Sequence, residues 1–166
     1  MTSAGSNTAT VVFGGDASPP ITGATEEFNG SGWVNGGSLN TARQSPGGAG
    51  TQTAALGAGG YAPPGGSRNE SEEYDGSSWT EGDNLNTGRQ QLAGAGTQTA
   101  GLAFGGNSSG PTVSNATEEY NGTSWTASNN MGTARRDLAG AGIQTAGLAF
   151  GGFITAPTDA TEEYDG

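Results

Sequence analysis

The sequence contains no cysteine, no lysine and no histidine, and each absence excludes a class of chemistry. Without cysteine there are no disulfide bonds and no thiolate nucleophiles. Without histidine or lysine, general acid and base catalysis falls to carboxyl groups. The five positive charges are all arginine, against 16 acidic residues, and the net charge is −11. We therefore expect no nucleic-acid partner and no membrane attraction, since phosphate binding needs clustered cations.

Long hydrophobic runs are also missing, and only 31% of the residues are apolar. The first ten residues have neither a basic nor an apolar segment, so we expect no signal peptide. Low apolar content is typical of disordered chains. However, the three tryptophans and most of the tyrosines and phenylalanines stand at recurring positions, which disorder does not require. The pattern therefore predicts a folded repeat protein.

Four kinds of marker recur with a period of about 46 residues. Glycine pairs occupy Gly14 and Gly15, Gly59 and Gly60, Gly105 and Gly106, and Gly151 and Gly152. Tryptophan recurs at Trp33, Trp79 and Trp125, and arginine at Arg43, Arg89 and Arg135. An aromatic residue precedes each Asn-Gly or Asp-Gly, at Phe28, Tyr74, Tyr120 and Tyr164. Such agreement indicates repeated structural units rather than one irregular domain.

Within one period, the sequence predicts four short strands and no helix. In the copy after Arg89, "LAGAG" forms a first strand, "TQT" a turn and "AGLAFGG" a second strand. "ATEEY" predicts a third strand, and "TSWTAS" predicts a fourth. The Asn-Gly and Asp-Gly dipeptides between them favour a two-residue hairpin turn, which needs positive φ angles. Four strands in about 46 residues are typical of a β-propeller blade.

These residues resemble kelch repeats. The kelch pattern is an arginine before the first strand, a strand ending in Gly-Gly, a tyrosine ending the third strand and a tryptophan about five residues later. Here it is matched by Arg89, Gly105-Gly106, Tyr120 and Trp125. The resemblance covers essentially the whole chain and implies an all-β, kelch-like β-propeller. In the kelch pattern the tryptophan packs between blades, so we expect core packing for the tryptophans over the alternative of stacking on sugars.

The chain is expected to form one propeller or half-propeller domain, residues 1–166, with repeats at approximately 1–42, 43–88, 89–134 and 135–166. This gives about four blades, the last incomplete with three strands. A repeat buries its faces only against neighbouring repeats. Two arrangements would therefore cover the exposed faces of the first and last blades. Either the chain closes as a small monomeric ring, or two half-rings form a homo-oligomer of roughly eight blades.

A pair of glutamates precedes the aromatic residue in every copy. Period-2 alternation places one glutamate on the face of the aromatic residue and the other on the opposite face. A buried carboxylate needs a partner, so we hypothesise that one glutamate pairs with the arginine of the repeat, for instance Glu119 with Arg135 or Arg89.

Insertions between copies fall just after the glycine pairs, in residues 16–23, 61–69, 107–115 and 153–159. Non-identical loops on a repeated scaffold are candidate binding elements. The candidate ligand-binding residues are Tyr61, Asn107 and Phe153 in these loops, together with Arg43, Arg89 and Arg135. The alternative for the arginines is a structural salt bridge in each repeat.

No catalytic constellation is present. The glutamate pairs recur in every copy and point apart, whereas a catalytic carboxylate pair should be unique. We therefore expect no enzyme activity, no cofactor and no metal site. The repeats resemble those of phage or environmental microbial surface proteins, which implies a structural or adhesive module in an extracellular or virion-associated setting. The alternative is a carbohydrate-binding lectin with one shallow glycan site per blade, since repeated sites give avidity.

Overall fold

A computed structural model describes residues 1–17, 20–108 and 112–166. The described residues form strands and turns only, so they include no helix long and apolar enough to cross a membrane. The strands of the first two repeats are β1 (Thr2–Gly5), β2 (Thr10–Phe13), β3 (Thr25–Phe28), β4 (Trp33–Asn35), β5 (Gly47–Thr51), β6 (Ala54–Ala58), β7 (Tyr61–Ala62), β8 (Gly66–Ser67), β9 (Ser71–Tyr74) and β10 (Trp79–Glu81). Those of the last two are β11 (Ala93–Gly96), β12 (Gly101–Phe104), β13 (Thr117–Tyr120), β14 (Trp125–Ser128), β15 (Ala139–Ile143), β16 (Ala146–Phe150) and β17 (Thr161–Tyr164).

The strands form four small antiparallel sheets arranged as in a four-bladed β-propeller, which confirms the predicted fold. The orders are β1-β2-β3-β4 in blade 1, β5-β6-β9-β10 in blade 2, β11-β12-β13-β14 in blade 3 and β15-β16-β17 in blade 4. The short hairpin β7-β8 lies in the loop of blade 2. The last blade has three strands, as predicted. The innermost strands of successive blades lie side by side: β1 with β5, β5 with β11 and β11 with β15.

Glycines on the innermost strands allow the blades to approach one another closely. A Cβ atom on Gly94 would lie 2.6 Å from the carbonyl oxygen of Gly48, and one on Gly140 would lie 2.7 Å from that of Gly94. Any larger residue would therefore push neighbouring backbones apart. The repeated tyrosines and tryptophans are on the outer two strands, so each blade is a wedge that is narrow at the axis.

The glycine pairs bring the next repeat against the end of each second strand. Gly59 and Gly60 have φ angles of 67° and 101°, which L residues rarely adopt. A Cβ on Gly59 would also lie 2.5 Å from the carbonyl oxygen of Arg89. The amide of Gly60 donates to that oxygen at 2.7 Å. The Gly-Gly motif thus joins consecutive blades through the backbone.

The turn between the third and fourth strands has four residues, so the predicted two-residue turn is wrong. In blade 3 the amide of Asn121 donates to the carbonyl oxygen of Ser124, and Ser124 donates back to Oδ1 of Asn121. Gly122 has the expected positive φ, 88°. In blade 2, hydrogen bonds from Ser78 and Ser77 to the equivalent carboxylate lower the pKa of Asp75 to about 2. The Asx side chain caps the turn, which accounts for the longer loop.

The tryptophans of blades 2 and 3 pack against the preceding blade, as expected. Trp79 is 5% exposed, its ring lies 4.6 Å from that of Phe13, and its indole N–H donates to Thr25 Oγ1 at 2.9 Å. Trp125 is 6% exposed and donates to Ser71 Oγ at 3.3 Å. The core is therefore divided between the junctions of the blades.

A tyrosine hydroxyl crosses each of the three junctions. Tyr74 donates to Glu27, Tyr120 to Glu73 at 2.5 Å, and Tyr164 to Glu119. These are the second glutamates of the pairs, on the face that looks toward the next blade. Burial, followed by the hydrogen bond to Glu27, raises the pKa of Tyr74 to about 12, and similar causes raise the pKa of Tyr120 and Tyr164. Burial and these hydrogen bonds together favour the protonated form of the phenols.

The tyrosine bonds predict a loss of stability at alkaline pH. Because the pKa of Tyr74 is raised from 10.0 to about 12 by folding, its contribution is complete below pH 10 and is lost as pH rises toward 12. The free energy of unfolding, measured by denaturant titration, should fall more steeply over this range in the wild type than in Tyr74→Phe. Equal slopes in the two proteins would contradict the assignment.

Candidate functional site

The loops that differ between repeats share one end of the propeller. Each joins the second strand of a blade to the third, and these strands run in equivalent directions in all four blades. The loops span residues 16–23, 61–69, 107–115 and 153–159, of which residues 18–19 and 109–111 lie outside the described residues. The opposite end carries the turns that are similar in every copy. Most of the sequence variation between the repeats is therefore gathered at the loop end.

Three candidate residues occupy equivalent places at this end. Tyr61 exchanges backbone hydrogen bonds of 2.8 and 2.9 Å with Gln44, and Asn107 exchanges bonds of 2.7 and 2.9 Å with Gln90. Phe153 does the same with Arg136. The frame thus presents a phenol, an amide and a phenyl ring at matching positions.

The candidate positions differ in accessibility. Tyr61 and Phe153 are half-buried, and Asn107 is buried. The Arg136 guanidinium lies 4.7 Å from the centre of the Phe153 ring and 2.7 Å from Asp137. Phe153 is therefore covered by a cation on one face, whereas Tyr61 faces a groove.

The groove at Tyr61 lies between the loops of blades 1 and 2 and has a volume of about 740 Å³. Pro20 and Ile21 line it from blade 1, and Tyr61 and Pro63 line it from blade 2. Its polar lining residues are Asp16, Asn40, Thr41 and Gln44. Apolar walls with a few polar groups are typical of small-molecule sites. An aromatic ring beside amide groups suits a polar ligand with flat apolar faces, such as a sugar.

The three repeated arginines lie inside the molecule. Arg43, Arg89 and Arg135 are completely buried. Nη2 of Arg89 lies 2.7 Å from Glu118 Oε1, and Nη1 donates to the carbonyl oxygens of Gly105 and Ala116. Arg43 pairs with Glu72 at 2.6 Å, and Arg135 with Glu162 at 3.2 Å. These contacts are those of a structural salt bridge in each repeat. We therefore do not propose the three arginines as ligand-binding residues.

The hypothesis of an arginine–glutamate pair is confirmed, but the glutamate named for it is wrong. Arg89 pairs with Glu118, the first glutamate of its pair, while Glu119 accepts from Tyr164 on the opposite face. Burial lowers the pKa of the Arg89 guanidinium, and the Glu118 carboxylate opposes this shift.

An asparagine three residues before Arg43 and before Arg89, which the sequence analysis missed, completes the pair in blades 2 and 3. The backbone and side-chain amides of Asn86 both donate to Glu118 Oε2 at 2.7 Å, and Nδ2 also reaches the carbonyl oxygen of Trp125 at 3.3 Å. Asn40 makes the same contacts with Glu72 and Trp79. Gly132 stands at the equivalent place before blade 4, so only its backbone amide reaches Glu162.

The outer faces of blades 1 and 4 expose the residues that are buried at the other junctions. Trp33 is 52% exposed, and Phe150 is 40% exposed. Their counterparts Trp79 and Phe104 are buried. Among the described strands, β15 and β1 lack the side-by-side contact that joins the other innermost strands. We call the two exposed faces, which contain Trp33 and Phe150, the seam.

No protein-family model matches the sequence, and no curated protein matches it. Within residues 1–17, 20–108 and 112–166, no group of three or more acidic side chains is placed to hold a metal ion. The candidate sites are therefore the loop end, with its groove at Tyr61, and the seam.

The buried ion pairs predict a large effect of Arg89→Met. The substitution leaves Glu118 buried without its cation, and the free energy of unfolding should fall by about 3–5 kcal/mol in denaturant titration. Arg68→Met is the matched control, because Arg68 is part-exposed and 3.7 Å from Glu70, and it should cost less than about 1 kcal/mol. If Arg89→Met costs no more than Arg68→Met, the pair has no structural role.

Proposed function

We propose that this protein is a non-enzymatic structural or adhesive module of kelch type. The observation that carries the proposal is the arrangement of four non-identical loops at one end of four similar blades. A repeated frame holds the loops in equivalent places, while their sequences vary without disturbing the junctions. The resemblance to repetitive phage or environmental microbial surface proteins supports an extracellular or virion-associated setting. The net charge of −11 disfavours self-adhesion by bulk electrostatics.

The seam supports homo-oligomerisation. The face of blade 4 with Phe150 is equivalent to the face of blade 1 on which Trp79 packs through Phe13. The face of blade 1 with Trp33 is equivalent to that of blade 2 with Trp79. One copy can therefore place Trp33 on the Phe150 of another. Two such contacts join two arcs into a closed cyclic assembly, whereas a closed monomer would have to join both faces within one chain.

Mass in solution tests this proposal. We expect light scattering to give about twice the 16.3 kDa of one chain. The two contacts of such a dimer would bury the exposed Trp33 and Phe150 of both copies. Trp33→Ser should return the mass to 16.3 kDa. Val34→Ser is the matched control, since Val34 is equally exposed on the opposite side of β4. A wild-type mass of one chain would contradict the oligomer and favour a closed monomer.

A carbohydrate-binding function is the second candidate, and the groove at Tyr61 favours it. We expect a glycan array to show binding to one class of sugars. Tyr61→Ala should weaken that binding by about tenfold or more, as loss of a central aromatic contact does. Thr99→Ala, at the opposite end of the propeller, is the control and should bind normally. Absence of binding to any glycan would contradict the lectin and leave the structural module.

A further inference from the structure

A cavity between blades 3 and 4 has the lining of a tryptophan site without a tryptophan. Its volume is about 220 Å³, more than the roughly 150 Å³ that suffices for a benzene ring. Its lining includes Leu102, Phe104 and Thr117 of blade 3, Met131 of the connecting segment and Tyr164 of blade 4.

The same five positions surround a tryptophan at the other two junctions. Trp79 belongs to a buried cluster with Val11, Phe13, Leu39 and Tyr74, and its indole donates to Thr25. Trp125 belongs to a cluster with Leu56, Ala58, Leu85 and Tyr120, and its indole donates to Ser71. The equivalent residues of the next repeat are Leu102, Phe104, Met131 and Tyr164, which line the cavity. Thr117 is equivalent to Ser71, whose hydroxyl accepts the indole N–H of Trp125.

The backbone beside the cavity is also ready for another strand. In blade 3, β13 pairs with β12 on one side and with β14 on the other, and Tyr120 lies opposite Trp125. In blade 4, β17 pairs with β16, and no described strand pairs with its other edge. An edge of this kind binds an added strand through backbone hydrogen bonds, with pockets selecting its side chains.

We propose that the free edge of β17 and the adjoining cavity bind an extended segment with the sequence Ser-Trp-Thr. The segment runs antiparallel to β17, its tryptophan lies opposite Tyr164, and the indole N–H donates to Thr117 Oγ1. The proposed ligand therefore has the sequence of the fourth strand of these repeats. The proposal does not depend on the function of the loops or on the seam.

A peptide in trans tests the site. The peptide Asn-Gly-Thr-Ser-Trp-Thr-Ala-Ser, the sequence of residues 121–128, should bind saturably in calorimetry with one site per chain. The same peptide with alanine for tryptophan should bind about tenfold more weakly or worse. Thr117→Val should weaken binding by about fivefold, the loss of one hydrogen bond. Thr25→Val removes the equivalent hydroxyl at an occupied site and should leave peptide binding unchanged.

A gain of affinity provides a second test. Asn40 and Asn86 donate to the carbonyl oxygens of Trp79 and Trp125, at 3.0 and 3.3 Å, whereas Gly132 has no side chain to do so. A Cβ on Gly132 would meet only the flexible end of Glu162. Gly132→Asn should therefore increase the affinity for the peptide by about fivefold.

Covalent attachment keeps the proposal testable if the free peptide binds weakly. Adding Ser-Ser-Trp-Thr-Ala-Ser after Gly166 raises its effective concentration, and the melting temperature should rise by on the order of 5 °C. The extension with alanine for tryptophan should give no such rise. Equal melting temperatures for the two extensions, with no difference between the two peptides, would overturn the proposal. Association of whole chains that Trp33→Ser abolishes belongs to the seam and leaves the peptide result unaffected.

Discussion

Each blade depends on its neighbour to bury its aromatic residues. Trp79 and Trp125 lie on the outermost strand of their own blades, yet their indole groups hydrogen-bond to the third strand of the preceding blade. The same asymmetry holds for the tyrosine hydroxyls, which bond to glutamates of the preceding blade. A single blade would expose these side chains to water. The folding unit is therefore the junction rather than the sheet, as in other repeat proteins whose stability is a sum over neighbours.

The junctions combine apolar burial with a charged anchor and a backbone contact. Arg89 binds the glutamate of its own blade and two carbonyl oxygens, that of Gly105 after the second strand and that of Ala116 before the third. Its own carbonyl oxygen accepts the amide of Gly60 in the preceding blade. Burying an ion pair is costly unless its remaining polar atoms are satisfied, and Asn86 supplies two donors to Glu118. The arginine thereby fixes the connecting segment and sets the position of the next blade.

The fold was predictable from the sequence because the residues that make its contacts recur once in each repeat. The strand positions, the Gly-Gly ends and the incomplete last blade follow from one period, whereas the burial of Trp79 was implied by the resemblance to kelch repeats. Alternation along the third strand separates Glu118 from Glu119 but does not say which face meets the arginine, since that depends on the path of the connecting segment. The turn length was missed because Asn121 caps a loop that Asn-Gly alone does not specify. Gln98, whose amide reaches the carbonyl oxygens of Tyr74 and Ala55, was also missed, although it recurs with the same spacing.

The candidate sites were less predictable because their residues do not recur from one repeat to the next. The loops do not repeat, so no periodicity indicates that Tyr61 faces a groove while Arg136 covers Phe153. Even the repeated junctions are not identical: Trp79 packs on Phe13, whereas Trp125 has Ala58 in that place, beside a void of only about 10 Å³. The smaller side chain of Ala58 therefore leaves little empty space at this junction. The cavity between blades 3 and 4 is lined by Phe104 of blade 3 and remains open, because the volume of an indole is too large for the surrounding strands to fill by small shifts.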